Sequence, residues 1–459
     1  MSFSLSQLIL ERSKDQYPLH HSYINPPMAR VQKIIGFDKN YNRGEGAYLW
    51  DQEGTRYLDL LSGYSVFNLG RGHPVIKQTM HEALDLDRPN LVKMDCPLLS
   101  GLLAEELVKR MPPGLEAVFF SNSGAGAVDT ALKFSRAATG RTRVLFLDHA
   151  FHGLTLGTLS INGGADFREG FGTLLPDCDM LPWNNINALE VELRKGDVAC
   201  FIVEPIQGKG VYIPDDDYLP RAQQLCREHG ALFICDEVQV GMGRTGRFLA
   251  SEHWSLKPDI VTLAKSLGGG YMPIGATITR RSIHSKTFSK LDRCQVHSTT
   301  FGQNELAMAA GLAVLHVMDE DGLVEHAAAL GEKLLSGLTA LKDRHGMIAD
   351  VRGKGLMIGL EFSPPRSLAL KAAWTAAETA QKGLFSQLLV MALMRDHQIL
   401  TQVGGPGVNI IKLLPPLIIG HEEVEMIVDA FDNVLTEAER LRGRVWGLSG
   451  QLIKHALSQ

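Results

Sequence analysis

Short apolar runs alternate with helical stretches between about residues 115 and 280, and this alternation constrains the fold more than any other feature. The runs are rich in β-branched and aromatic residues and lie at 117–120, 144–148, 199–204, 231–237, 259–263 and 274–279. Buried parallel strands have continuous apolar sequences, and the connections between them are usually helical. The pattern therefore predicts an α/β fold with a mainly parallel sheet covered by helices on both faces.

The segments on either side of this region predict a second, smaller α/β domain. Ala- and Leu-rich helical stretches follow residue 304, and a mixed region begins at Val351 with VRGKGLMIGLEF. The N-terminal segment GAYLWDQEGTRYLDL, residues 46–60, predicts two short strands that are too small to bury a core alone. We expect a large domain at 75–330 and a small domain built from both chain ends, 1–74 and 331–459.

Charge and composition limit the classes of function. The formal net charge of −5 is small for 459 residues and the basic residues are dispersed, so no footprint for nucleic acid is present. No apolar run reaches the roughly 20 residues that a membrane helix needs. The six cysteines are widely spaced without a C-x-x-C pair or a metal-binding pattern. They predict free thiols in a reducing compartment, the cytoplasm.

A candidate phosphate site lies in SNSGAGAVDTALK, residues 121–133, where a predicted strand runs into a turn and then a helix. The first amides of a helix lack partners within it and attract anions, so Ser123, Gly124 and Ala125 could hold a phosphate. An ordinary strand–turn–helix connection explains this segment alone equally well. A dinucleotide site is a sharper alternative, but Asp129 replaces the third glycine of G-x-G-x-x-G.

Two further segments each bring a reactive side chain to the end of a strand. ALFICDEVQVGMGRTG places Asp236 and Glu237 where α/β folds bind ligands, and an aspartate there can keep a pyridine nitrogen protonated. A solvated turn or a helix cap is the usual role of an isolated Asp-Glu pair. In PDIVTLAKSLGGGYMPIGA, Lys265 ends an apolar strand, and burial favours the uncharged, nucleophilic amine. A lysine that reaches the surface is the alternative.

These three segments, taken in this order, resemble those of the class III aminotransferases, pyridoxal phosphate enzymes with the type I fold. The resemblance extends over nearly the whole chain, from GAYLWDQEGTRYLDL to VRGKGLMIGLEF and LLPPLII. It implies pyridoxal 5′-phosphate as cofactor, Lys265 as its Schiff-base lysine and general base, and Asp236 as the partner of its ring nitrogen. A nicotinamide-dependent oxidoreductase has no use for Lys265, and a non-catalytic scaffold would be expected to lose Lys265 or Asp236.

The resemblance also implies contacts around the cofactor. The residues expected there are Ser123, Gly124 and Ala125 at the phosphate, Phe151 and Val238 on the two ring faces, Gln239 at the ring hydroxyl, and His152 and Glu204 around the site. Phe151, Val238 and His152 could equally be structural. Thr300 would reach the phosphate of a neighbouring subunit, because the family works as a homodimer with shared active sites.

The substrate residues depart from the ornithine-type members of this family. Those relatives have a glutamate after VEPIQG and an arginine before LLPPL that grips an α-carboxylate, whereas this chain has Lys209 and Lys412. Lysine cannot make the planar two-point contact of a guanidinium. With Tyr64 lining the pocket, we expect ping-pong transfer from an amine donor to a carbonyl acceptor, with an apolar carbonyl lacking an α-carboxylate as one candidate. An ornithine- or diamine-type transaminase and an aminomutase are the alternatives.

Two apolar segments in the second half of the chain, SLALKAAW and GLFSQLLVMALM, are unusual for the family. They fit either an apolar access channel or the core of the small domain.

Overall fold

The computed structural model describes residues 3–92, 94–440 and 444–447. Within them the strands are β1 Tyr41–Glu45, β2 Tyr48–Asp51, β3 Arg56–Asp59, β4 Ala117–Ser121, β5 Arg143–Leu147, β6 Cys178–Leu181, β7 Val198–Val203, β8 Leu232–Asp236, β9 Ile260–Leu263, β10 Gly275–Thr279, β11 Ile348–Lys354, β12 Met357–Phe362, β13 Ile399–Leu400, β14 Gln402–Val403 and β15 Ile410–Leu413.

The helices alternate with these strands through the middle of the chain and cluster at its two ends. They are α1 Leu5–Arg12, α2 Gln16–Tyr23, α3 Pro26–Ile35, α4 Ser62–Ser65, α5 Pro74–Asp85, α6 Leu98–Lys109, α7 Gly124–Thr139, α8 Leu156–Leu159, α9 Ala165–Arg168, α10 Ile186–Leu193, α11 Tyr218–Glu228, α12 Arg281–Thr287, α13 Glu305–Glu320, α14 Leu323–Ala340, α15 Leu368–Ala380, α16 Leu384–His397, α17 His421–Ala438 and α18 Arg444–Gly447. None of these described helices is long and apolar enough to cross a membrane.

A seven-stranded sheet in the order β4-β10-β9-β8-β7-β5-β6 forms the centre of the molecule. Its strands run parallel except β10, which is antiparallel to both β4 and β9. All six predicted strands are present, so the expected α/β fold with a mainly parallel sheet is confirmed. The sequence pattern missed β6, an edge strand that contains Asp179 and the exposed Met180 and so has no continuous apolar run.

Two four-stranded sheets lie outside the central sheet. One has the order β1-β2-β3-β13 and the other the order β11-β12-β15-β14. The β2–β3 hairpin is the predicted N-terminal pair, and β13 joins it in parallel through Ile399 and Leu400. Strands from both chain ends thus share one sheet. The division at residues 75 and 330 into a large and a small domain remains a prediction.

The apolar segments of the second half of the chain are core helices. Trp374 of α15 and Phe385 of α16 are both buried, with ring centroids 4.4 Å apart. The methionines of GLFSQLLVMALM in α16 are buried as well, including Met391 and Met394. Packing of these side chains in the protein core therefore accounts for much of the apolar character of both segments.

Candidate active site

The predicted site residues collect at one edge of the central sheet. Ser123 follows β4, Phe151 follows β5, Glu204 follows β7, Asp236 ends β8 and Lys265 follows β9. These five strands run in the same direction, so their carboxyl ends meet at the same edge. This is the edge at which open α/β sheets bind ligands.

Lys265 is the first residue of a short turn of 3₁₀-helix after β9 and has a left-handed φ of +46°. Its amine has no hydrogen-bond or ion-pair partner among the described residues. Burial lowers the pKa of Lys265 to about 8, against the opposing charges of Asp236 and Glu204. The amine is therefore partly uncharged near neutral pH, as a nucleophile must be.

Asp236 is 3% exposed, and its carboxylate is held by three groups. Oδ1 accepts hydrogen bonds from the Val238 amide and the Thr262 hydroxyl, both at 3.0 Å. Oδ2 lies 2.7 Å from Nδ1 of His152, which donates because a carboxylate can only accept. His152 thus contacts Asp236, and its Nε2 is buried without a partner among the described residues.

Glu204 fixes two loops beside Lys265. Its Oε1 accepts from the Phe151 amide at 2.9 Å and its Oε2 from the Gly208 amide at 2.8 Å. Burial, together with the charge of Asp236, raises the pKa of Glu204. The side chain is 5% exposed, so Glu204 ties these two loops together from inside the protein.

The neighbouring Glu237 has a structural task. Its two carboxylate oxygens accept from the amides of Ala250 and Ser251 at 2.8 and 2.7 Å. Burial raises the pKa of Glu237 to about 7. The Glu237 carboxylate therefore caps backbone amides, which is one of the usual roles of an isolated Asp-Glu pair.

The start of helix α7 presents unpaired backbone amides. Ser123 caps the helix, with its hydroxyl accepting from the Gly126 amide at 3.0 Å. Gly124 has no room for a side chain, because a Cβ would lie 2.7 Å from Cγ1 of Val238. The amides of Gly124 and Ala125, at the first two helical positions, have no backbone acceptor in the described chain. Amides of this kind attract anions, and they lie next to Val238.

Gln239 is held between two distant parts of the chain. Its Nε2 donates to the Tyr64 carbonyl at 3.2 Å, and its Oε1 accepts from Lys412 Nζ at 3.2 Å. Lys412 also donates to the Gly208 carbonyl at 2.7 Å and is only 4% exposed. The structure therefore brings three predicted residues, Tyr64, Gln239 and Lys412, into one network.

Lys412 has a strongly lowered pKa. Burial lowers the pKa of Lys412 to about 7, and the positive charges of Lys265, Lys209 and Arg244 add to the effect. Glu204 opposes it. A substantial part of this lysine is therefore uncharged at neutral pH.

The segment that supplies Tyr64 is an unusual left-handed turn. Residues 62–65 have φ values of 50°, 59°, 62° and 74°, and only the second of them is glycine. Such φ values cost a non-glycine residue about 1–2 kcal/mol each, so other contacts must hold the turn. Asp59 accepts from the Leu61 and Ser62 amides at 3.1 and 2.8 Å. Tyr64 itself is 54% exposed.

Arg244, to which the sequence assigned no task, anchors this turn. Its side chain is fully buried and donates to Ser65 Oγ, to Asn68 Oδ1, and to the carbonyls of Leu356 and Pro415. All four acceptors are uncharged groups, and burial lowers the pKa of Arg244 to about 9. The G-R-T-G sequence gave no sign of these partners, which lie far away along the chain.

Lys209 lies against two aromatic rings. Its Nζ is 4.0 Å from the ring centroid of Phe167 and 4.9 Å from that of Phe151. Burial lowers the pKa of Lys209, and Glu204 and Asp166 oppose the change. The lysine also lines a cavity of about 90 Å³, which Asp166, Phe167 and Tyr212 share. The sequence gave no signal for Phe167.

Thr300 lies apart from this network. It is exposed in the loop between α12 and α13, and the role expected for it in a neighbouring subunit stays a prediction. After this loop, Asn304 accepts from the Ala307 amide at 2.8 Å and caps α13. The segment Gln303-Asn304-Glu305 thus leads into helix α13.

The arrangement fits a phosphate-bearing pyridine ring. An anion site lies at the start of α7, and a buried carboxylate with a free lone pair on Oδ2 lies at Asp236. An amine without partners among the described residues lies at Lys265. Val238 lies beside Gly124 at the start of α7, and Phe151 follows β5 at the same edge of the sheet.

Comparison with known proteins agrees with this chemistry. The family profile described as Aminotransferase class-III matches residues 31–435. Aminotransferase PigE of a Serratia species is 34% identical over 92% of this chain, which spans only 54% of that protein. Putrescine aminotransferase of Pectobacterium atrosepticum is 39% identical over 90% of this chain and 86% of its own length. The crystal structure of an omega transaminase from Pseudomonas jessenii in complex with PMP has a TM-score of 0.80 and 26% identity, covering 89% of this chain and 94% of that one.

Proposed function

The chain belongs to the class III aminotransferases, which use pyridoxal phosphate, and we propose that it transfers an amino group to or from an apolar carbonyl compound without an α-carboxylate. The observation that carries this proposal is the environment of Lys412. Its ammonium donates to the Gly208 carbonyl and to Gln239 Oε1 and is almost fully buried. It is therefore not free to grip a substrate carboxylate.

The residues of this chain have distinct tasks in the proposed reaction. When bound, pyridoxal phosphate supplies a ring that takes up the electron pair released at the substrate carbon. Asp236, fixed by His152 and Thr262, keeps negative charge against the ring nitrogen. Ser123 and the amides that follow it hold the phosphate. Lys265 Nζ takes the proton from the donor carbon as general base and returns it in the second step.

Two half-reactions in sequence give ping-pong kinetics, because the donor leaves as a carbonyl compound before the acceptor binds. Lys265 has the lowered pKa of about 8 that proton transfer near neutral pH requires. Glu204 holds the loops on either side in one arrangement through both halves.

The surroundings of Lys209 support an apolar substrate. Its amine contacts the faces of Phe151 and Phe167, whose ring centroids are 5.6 Å apart. Aromatic faces bind alkyl chains well, and a lysine fixed against them gives no two-point grip on a carboxylate. The ring of Tyr64 is 54% exposed, which leaves it accessible to a substrate.

An ornithine- or diamine-type transaminase is the second candidate. Asp166 lines the cavity beside Lys209 and could pair with the distal ammonium of a diamine. The 39% identity to a putrescine aminotransferase favours the same reading. Against it stands Lys209, whose amine lines the same cavity as Asp166 and repels a second cation.

We also propose a homodimer and a cytoplasmic location. Large apolar side chains around Thr300 are exposed, including Met94 at 85%, Leu291 at 94% and Phe301 at 56%. Exposed apolar surface of this kind is typical of an interface. For the location, the support is that all six cysteines are free thiols.

The test compares specificity constants for a long terminal aldehyde, ornithine and putrescine in the wild type and in Lys412→Arg. We expect the aldehyde to be preferred by the wild type and ornithine to gain in Lys412→Arg. Better turnover of ornithine by the wild type, with a strongly raised KM in Lys412→Ala, would refute the apolar substrate. A ¹⁵N-labelled donor separates transamination from an aminomutase, since only a transaminase moves the label to a second molecule.

A further inference from the structure

We propose that Lys412 is a positioning residue that sets the orientation of the Gln239 amide, so that the NH₂ group of Gln239 faces the cofactor. The inference rests on the cofactor chemistry of the proposed function and does not depend on its substrate class. It assigns Lys412 a task on the cofactor side of the site in place of carboxylate binding.

The first step is the polarity of the contact. Lys412 Nζ lies 3.2 Å from Oε1 of Gln239 and donates a hydrogen bond to it. Both an ammonium group and a neutral amine carry the protons for this bond. A flipped amide would set two donors against each other. The observed orientation therefore leaves both N–H groups of Gln239 on the opposite side, and the Tyr64 carbonyl takes one of them at 3.2 Å. The other N–H is available to an oxygen of the bound ring.

The second step is that the surroundings leave Lys412 no other arrangement. Its second acceptor is the Gly208 carbonyl at 2.7 Å, and its side chain is almost fully buried. Gly208 itself leaves space for this contact. A Cβ there would lie 2.4 Å from Gln239 Oε1 and 2.9 Å from Glu204 Oε2.

The third step is the position of Lys412 in the fold. It lies in β15, where it pairs with Gly359 of β12 and Gln402 of β14. Gln239 follows β8 of the central sheet. The Lys412 side chain thus connects a strand of the C-terminal sheet to the catalytic edge, and the position of that sheet fixes the amide.

Because charged groups surround Lys412, the experiment must separate the effect of its own charge from its effect on the orientation of the Gln239 amide. Lys265, Glu204, Lys209 and Arg244 all act on it electrostatically. Burial and the three cations lower the pKa of Lys412 to about 7. With a pKa of about 7, Lys412 still carries part of a positive charge near neutral pH, so its removal can act on Lys265 directly. The experiment must therefore include a variant in which residue 239 has no amide for Lys412 to orient.

The expected effect is on the proton that Lys265 shares with the ring oxygen of the bound cofactor. A donor from Gln239 stabilises negative charge on that oxygen, which weakens its hold on the proton. Loss of the donor should raise the pH midpoint of the visible absorbance change in the resting, substrate-free holoenzyme. A single hydrogen bond to a charged oxygen is worth a shift of about 1 pH unit.

The experiment titrates the visible absorbance of four holoenzymes: wild type, Lys412→Met, Gln239→Leu and the double variant. Methionine keeps the length and volume of the lysine stem but cannot donate. We expect a similar upward shift in both single variants and no further shift when Lys412→Met is added to Gln239→Leu. Lys412→Leu, which likewise cannot donate, replaces Lys412→Met if the latter does not fold.

Two results would overturn the proposal. An unchanged midpoint in Lys412→Met, or in Lys412→Leu where that variant replaces it, would mean that the lysine only packs. An equal shift in the Gln239→Leu background would mean that Lys412 acts through its own charge. Neither result bears on the choice of substrate, because no substrate is present, so failure here is distinguishable from failure of the proposed function.

Discussion

Lys265 should be far more reactive than an ordinary lysine, and the size of the difference follows from its environment. Burial lowers its pKa from 10.5 to about 8. At pH 7 about 9% of an amine with a pKa of 8 is uncharged, against about 0.03% of one with a pKa of 10.5, a ratio of about 300. We therefore expect labelling of Lys265 to rise through a midpoint near pH 8.

Competitive labelling of the cofactor-free protein with acetic anhydride, read by peptide mass spectrometry between pH 6 and 11, measures this midpoint. Lys109 is an internal control, because its pKa is raised by Glu106 and its labelling should rise only above pH 10.5. Asp236→Asn removes the largest charge that raises the pKa of Lys265. The midpoint should therefore fall below 8 in that variant.

Two results would refute this reasoning. A wild-type midpoint near 10 would mean that water reaches Lys265 and that burial does not control its charge. A higher midpoint in Asp236→Asn would mean that this carboxylate does not act on the amine in the assumed direction.

Three further predictions concern other parts of the site. Lys265→Ala should abolish transamination, and borohydride should fix the cofactor on Lys265 of the wild type; a reduced adduct on another lysine in peptide mapping would contradict this. Asp236→Asn should fold and bind cofactor but lose about 10²–10³-fold in kcat, with a smaller loss in His152→Phe, which removes one contact to Asp236 and leaves the carboxylate in place; a loss of only a few-fold in Asp236→Asn would exclude the role of this carboxylate at the ring nitrogen. Arg244→Met should lower the free energy of unfolding in urea by about 2–4 kcal/mol, because the Leu356 and Pro415 carbonyls lose their donor while the cost of a buried cation is relieved. Arg244→Lys should recover part of this loss of stability. An unchanged urea midpoint in Arg244→Met would show that these contacts are dispensable.

The central sheet could be predicted from the sequence because its strands are buried on both faces. Residues such as Phe201 and Ile202 of β7 form short continuous apolar runs, a pattern that is typical of strands buried on both faces. The edge strand β6 gave no such signal, since one of its sides is open to solvent. The reversed direction of β10 is also absent from the sequence pattern, because burial alone does not encode strand direction.

The chemistry of the site could be predicted where one residue carries it. Lys265 and Asp236 stand out because a charged side chain at the end of a buried strand is costly without a task. The contacts of His152, Lys412 and Arg244 could not be predicted, because their partners are more than 80 residues away along the chain. The residues next to these positions in the sequence do not indicate such distant contacts. The left-handed turn at Tyr64 likewise depends on Arg244, and three of its four residues are not glycine.

The parallel pairing of β3 with β13 has a consequence for how the chain acquires its structure during synthesis. The paired residues, Leu58 with Ile399 and Asp59 with Leu400, are about 340 positions apart. Closing so long a loop is slow and entropically unfavourable until most of the protein has been made. While the ribosome adds the intervening chain, the edge of β3 that later pairs with β13 has no partner strand. The unpaired backbone groups of such an edge can form hydrogen bonds with strands of other chains. The first 60 residues are therefore where we expect chaperones to bind the nascent polypeptide.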